Sequence, residues 1–279
     1  MSEPIEPPIE PAIGPAIGPA IGSAIGPAIG PAIGLHLFCK PTTLFDGAAV
    51  VAAVRAAEAE GCQVVCVSIL GHKCDAAFMA MHEDLRVLRS LQTGLQRAGL
   101  DVVDSYVSLT ETSEYAASMP EEHRRARLYP DIPPRAHHMP AWCFYPMSKK
   151  REGDGNWFRL PFEERQRMMY EHGTSGRKFA GRVVQYVTGS TGLDDYEWGV
   201  TLFAVHPDDL KEVVYTMRFD EAAEFTVVPR GAEPAPVPEH VQIDPISQQR
   251  ALAKRSESGE GPARNRERHE RLPKPLVMI

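Results

Sequence analysis

The sequence predicts an α+β protein, two ferredoxin-like β-α-β-β-α-β units packed as one dimeric α+β barrel, with a disordered tail at each end. Three observations carry that prediction. Short apolar runs alternate with longer segments of helical period through the middle of the chain; the order strand, helix, strand, strand, helix, strand is traced twice; and neither end keeps an apolar period. Each unit would leave one face of its sheet uncovered, and packing the two sheets together with the helices outside removes that cost.

From Pro11 to Gly34 the chain repeats Pro-Ala-Ile-Gly, with Ser23 once in place of proline. Proline and glycine at this density interrupt helix and sheet alike, so 1–34 is expected to be a flexible arm. The first unit, with its connecting segment, covers 35–139. "LHLFCK" reads as a strand and "AAVVAAVRAAEAEG" as a helix ending at Gly61. "QVVCVSIL" and "DAAFMAMH" read as strands around a Gly-His-Lys-Cys turn, "EDLRVLRSLQTGLQRAG" as a helix and "VVDSYVSL" as a strand. The second unit covers 140–228: strand "AWCFYPM", a helix from Pro161 to His172, strands "RVVQYVTGS" and "YEWGVTLFAV", and helix "PDDLKEVVYTMR". Its last strand is not apparent. From Pro229 to the end, Pro-rich and then Arg/Glu/Ser-rich sequence predicts a disordered tail.

Composition bounds the function. The chain has 279 residues, room for two ordinary domains, and 43% hydrophobic residues suffice for a core. A net charge of −7 gives no electrostatic reason for a nucleic-acid partner and points to a small ligand. Five cysteines form no CxxC pair and are expected as reduced thiols. No apolar run reaches a membrane span and no signal-peptide pattern opens the chain, so a cytoplasmic location is expected.

Chemistry concentrates in the second unit. In "RLPFEERQRMMYEHGTSGRKFAG", Pro161 and the pair Glu163 and Glu164 mark a helix start, and Gly173 suits the left-handed position that ends one. That places His172 in a last turn. Two readings stand: a protonated imidazole favoured by the helix dipole, or a neutral imidazole ligating a metal. On the preceding strand, Tyr145, Met147 and Lys149 alternate onto one face, and Lys149, Lys150 and Arg151 form a basic run before the loop that closes on Trp157. A phenol, cations and an imidazole can thus converge on one cavity. His36, His72 and His82 show no ligand spacing and read as structural or exposed, and His137 and His138 as an exposed loop pair.

The motifs "YPMSKKREGDGNW", "LPFEERQRMMYEHGTSGRKFAGRVVQ", "TGSTGLDDYEWGVTLFA" and "VYTMRFDE" closely resemble the coproheme decarboxylases of the chlorite dismutase family, in the form typical of Gram-positive bacteria. The match is dense from Tyr145 to Glu221 and thinner back to Leu35. The resemblance implies a homopentamer that binds iron coproporphyrin III (coproheme) in its C-terminal half and, with hydrogen peroxide as oxidant, converts two propionates to vinyl groups, giving heme b. Carried over residue by residue, it makes His172 the iron ligand, Tyr145 the tyrosine that becomes a hydrogen-abstracting radical, and Lys149 the residue that holds or assists the reacting propionate. Arg127, Arg177 and Arg218 become partners for other carboxylates, which suit guanidinium forks. Met147, Trp157 and Trp198 line the pocket, and Gln185 stands where chlorite-degrading members usually carry arginine. A transient contact with a ferrochelatase is also implied. Ala223 departs from the pattern, standing where relatives often place a serine that bonds a propionate. The alternatives are a non-catalytic heme carrier of the same fold and a chlorite dismutase-like peroxidase.

Overall fold

A computed structural model describes residues 28–116, 120–132, 139–228 and 276–278 of the chain. His137, His138, most of the repeat arm and most of the C-terminal tail lie outside the described residues. The first unit is built from β1 (Ala28–Pro41), α1 (Gly47–Ala59), β2 (Gln63–Ile69), β3 (Ala76–His82), α2 (Leu85–Arg97) and β4 (Leu100–Thr112). Its strands lie in the order β4-β1-β3-β2, antiparallel throughout, as a ferredoxin-like unit requires. Asp46 and Asp84 cap the two helices by accepting from first-turn N–H groups, and both helices pack on one face of the sheet through Val54, Ala57, Leu88, Leu91 and Leu95. Gly94 permits their close crossing, since a Cβ there would stand 2.8 Å from that of Ala53.

The second unit follows α3 (Glu121–Leu128), a helix the sequence reading did not separate from the connection. It comprises β5 (Ala141–Lys149), α4 (Phe162–Arg177), β6 (Val183–Gly189), β7 (Trp198–Ala204), α5 (Pro207–Met217), α6 (Glu221–Glu224), β8 (Thr226–Val227) and β9 (Leu276–Met278). Antiparallel pairing of β4 with β6 joins the two sheets on one side, and β9, parallel to both β2 and β5, joins them on the other. The barrel interior holds Val65, Val67, Met79, Met81, Trp142 and Phe203. His36 belongs there too: its Nε2 lies 3.0 Å from Thr201 Oγ1, and burial holds its pKa down to about 3, so it is a structural, neutral histidine.

Three boundaries differ from the sequence reading. β1 begins at Ala28, inside the segment expected to be arm; its pairing with β4 shifts register between Ile29 and Ile33, around Pro31, which has no N–H to give the ladder. The fourth strand of the second unit is split: β8 pairs antiparallel with the end of β5, and residues 276–278, expected to be tail, fill the remaining position in the opposite direction. Third, α4 does not stop at Gly173. It continues to Arg177, and Gly173 does not take a positive φ. Ser175 explains the continuation: it is buried and donates to Asp220 at 2.7 Å, which holds the extra turn in place against glycine's weak propensity. His172 therefore sits inside the helix, and the dipole reading loses its geometric basis.

Candidate functional site

Strand alternation puts Cys143, Tyr145, Met147 and Lys149 on the outer face of β5, opposite the face that carries Trp142 into the barrel. Register extends this row across the sheet. Tyr145 pairs with Val200, which pairs with Val187; Met147 pairs with Trp198; and Cys143 pairs with Leu202, which pairs with Gln185. Tyr145, Met147, Lys149, Trp198 and Gln185 thus share one face. Phe179, Val213 and Met217 from the helical layer cover its apolar part. Tyr145 is half-buried there, and desolvation raises its phenol above the ordinary range, with the neighbouring Cys143 adding to the effect; its O–H stays intact at neutral pH.

His172 lies on α4 with one ring nitrogen committed. Its Nδ1 is 2.9 Å from Oδ2 of Asp220, a buried carboxylate whose Oδ1 accepts from Ser175. A carboxylate can only accept, so the proton is on Nδ1 and the Nε2 lone pair is left for a ligand. Desolvation, the largest influence, lowers the imidazole pKa; Asp220 raises it and the charge of Lys149 lowers it further, so the net direction favours the neutral ring. Among the described residues no group of three or more His, Cys, Asp or Glu could hold a metal ion, so a metal at His172 would bring its other ligands with it, as a porphyrin does.

Lys149 is buried at the end of β5. Its Nζ donates to the carbonyl of Ala222 at 2.8 Å and to Thr226 Oγ1 at 3.0 Å, and lies 4.3 Å from the centroid of the Trp157 ring. Desolvation lowers its pKa to about 8, and Glu197 acts in the opposite sense. Glu197 accepts from the backbone N–H of Lys149 at 2.7 Å and is paired with Arg151. Trp157 is buried with Met168, Ala222 and Phe225, and Trp198 donates its indole N–H to Glu111 at 2.7 Å. Burial raises the Glu111 carboxyl pKa, against the lowering by that bond.

The three arginines do not join this group. Arg177 donates to Thr174 at 2.6 Å and lies over Tyr170, Arg218 lies over Tyr215 and Phe219, and Arg127 is exposed on α3. An open groove of about 500 Å³ on the outer side of α5, lined by Lys211, Tyr215 and Phe219 among others, carries none of the predicted residues. Sequence reasoning missed Asp220, Thr226, Glu197 and Glu111. Asp220 alone left a trace, as an acidic residue at the N-cap of α6. Its partners lie 45 and 48 residues away, beyond any local pattern.

Comparisons with known proteins agree with this architecture. Residues 46–228 match the family model described as chlorite dismutase. A coproheme decarboxylase from Staphylococcus carnosus is 45% identical over 166 residues, 55% of this chain and 64% of that relative, so the match spans less than two thirds of the relative's length. A solved structure described as a novel heme-binding protein from Thermus thermophilus is similar with a TM-score of 0.64 and 31% identity, over 73% of this chain and 90% of that one. A mutant chlorite dismutase from Candidatus Nitrospira defluvii aligns with a TM-score of 0.55 and 16% identity, over 70% of this chain and 86% of that one, a likeness of fold.

Proposed function

Since this chain belongs to the chlorite dismutase family, we propose that it is an enzyme of heme synthesis that decarboxylates two propionates of iron coproporphyrin III to vinyl groups, giving heme b. The observation that carries the proposal is His172, with Nδ1 held by a buried carboxylate and Nε2 left for a ligand, close enough to the buried Lys149 for its charge to lower the imidazole pKa, Lys149 sharing a sheet face with Tyr145 and Gln185. The 45% identical relative named coproheme decarboxylase supports the same reading.

The residues present fit a porphyrin. His172 would hold the iron through Nε2, and the partly exposed side chains of Met147, Val187 and Met217 would offer the apolar contact that a macrocycle face needs. Iron porphyrin held there would, with hydrogen peroxide, supply the oxidising equivalents. Tyr145 gives up its hydroxyl hydrogen and then takes one from the β-carbon of a propionate. That carbon loses a second electron, the bond to the carboxylate breaks, carbon dioxide leaves and a vinyl group remains. Two electrons leave the substrate for each peroxide reduced to two waters. Lys149 would hold or assist the reacting propionate from the same face of β5 as Tyr145, four residues further along the strand. Gln185 brings a neutral amide to the same sheet face, and Trp157 backs the ammonium. Arg127, Arg177 and Arg218 are proposed to turn toward the remaining carboxylates only when substrate is present. A homopentamer in the cytoplasm, with transient contact to a ferrochelatase, completes the reading.

Mass spectrometry of the bound porphyrin, after adding iron coproporphyrin and then peroxide, tests this. Two successive losses of a carboxyl unit are expected from the unaltered protein and almost none from Tyr145→Phe, which keeps the ring and removes the O–H. Conversion by Tyr145→Phe at the unaltered rate would refute the role of the phenol. Binding without mass loss in the unaltered protein would leave a carrier.

A further inference from the structure

The geometry points to Thr226 as a positioning residue that, with the carbonyl of Ala222, fixes the Lys149 ammonium to receive an anionic group of the substrate. This rests on the reading of Lys149 given above, and it concerns a residue, Thr226, to which neither the composition nor the resemblance gave a role.

An ammonium has three N–H donors on a stem with four rotatable bonds, so its direction must be imposed from outside. Here two donors are engaged, with Ala222 O at 2.8 Å and Thr226 Oγ1 at 3.0 Å. The Thr226 hydroxyl also donates to Ala222 O at 3.0 Å, which turns its lone pairs toward the ammonium and closes a three-membered cycle. Register enforces the arrangement, because Thr226 of β8 stands directly opposite Lys149 of β5, and neighbouring Lys150 donates its N–H to Phe225 O at 2.8 Å. Ala222 is buried, and the Phe225 ring lies 5.5 Å from that of Trp157, so the segment carrying both acceptors is anchored by packing.

Both acceptors are neutral, and that decides what the arrangement is for. A buried ammonium is costly unless paired, yet among the described residues no carboxylate forms an ion pair with Lys149. The charged groups around it are otherwise engaged. Glu197, at the head of β7, accepts the backbone N–H of Lys149 and pairs with Arg151; Asp220, at the head of α6, holds His172 of α4. Thr226 and Ala222 therefore stabilise the cation without neutralising it, and the third N–H is kept for a carboxylate that arrives with the ligand.

The test uses the full chain without ligand first. Trace acetylation of surface and buried amines, read by mass spectrometry across pH, reports the protonation midpoint of Lys149 against exposed Lys150. Thr226→Val keeps the volume and removes one acceptor of the charged form, so the Lys149 midpoint is expected about 1 pH unit lower than in the unaltered protein, with labelling at about pH 7 about fivefold faster. Thr226→Ser should restore both. Thr226→Ala provides the same loss of acceptor with less bulk if the valine variant does not fold. A midpoint unchanged in the folded valine or alanine variant overturns the proposal. A second arm measures affinity for iron coproporphyrin and for its tetramethyl ester. Thr226→Val should weaken the acid several-fold and leave the ester unchanged, and an equal effect on both would overturn the link to an anionic group. If the unaltered protein binds acid and ester alike, the carboxylate reading of Lys149 falls, while the labelling result still decides the role of Thr226.

Discussion

Replacing Lys149 with methionine should make the ligand-free protein more stable while abolishing its proposed chemistry. The side chain is 8% exposed, and desolvation takes its pKa from 10.5 to about 8. That shift corresponds to a cost of roughly 3 kcal/mol to the folded state at neutral pH. Loss of the contact with the Trp157 ring offsets about 1–2 kcal/mol of this, leaving a net gain of about 1–2 kcal/mol. No buried group is orphaned by the change, since Ala222 O still accepts from Thr226. The sign with pH is fixed. The folded value lies below the unfolded one, so between about pH 8 and 10.5 the unfolded chain binds more protons and the unaltered protein gains stability as pH rises. The advantage of Lys149→Met should accordingly be greatest below pH 8 and shrink toward pH 10.5. Urea denaturation of both proteins at pH 7 and pH 10 measures this directly. A variant less stable at pH 7, or a difference independent of pH, would mean that the ammonium is not held at a desolvation cost.

Asp220→Asn should cost about 1–3 kcal/mol in urea denaturation, because one amide cannot accept from both His172 and Ser175 and presents its own donor to one of them. Gly189→Ala should displace Glu111, whose carboxylate occupies the space a new Cβ would need; loss of the Trp198 to Glu111 bond should register in the tryptophan fluorescence and in a lowered Tm. Deleting residues 1–27 should leave Tm and porphyrin conversion unchanged, whereas deleting 1–34 removes buried Ile33 and the β1 pairing around it and should destabilise strongly.

The double ferredoxin-like pattern is legible because its strands and helices, the split last strand of the second unit apart, are long enough to show their own period. α2 displays Leu88, Leu91 and Leu95 at helical spacing, and β5 alternates Trp142 inward with Tyr145 and Met147 outward. The start of β1 is not legible because its first residues belong to the Pro-Ala-Ile-Gly repeat, whose composition predicts no strand; a strand there depends on partners in β3 and β4. Gly173 misled for a related reason. Glycine permits a helix to end and does not compel it, and the buried Ser175 to Asp220 bond, invisible from local sequence, carried α4 onward.

The site divides the same way. Tyr145, Met147 and Lys149 could be grouped from strand alternation alone, and His172 stood out from its helix, yet the groups that orient them lie 48, 73 and 77 residues from His172 or Lys149 in the chain. All three belong to one stretch, from Asp220 to Thr226, which looked least like a structural element and in which Ala223 departs from the expected serine. A two-residue strand has no period to read. Its pairing opposite Lys149 nonetheless brings a hydroxyl to the ammonium three residues beyond Ala223. Where an orienting group is supplied by register across strands, what is needed is a hydroxyl at the right position in the ladder, and no inspection of the segment by itself can reveal which position that is.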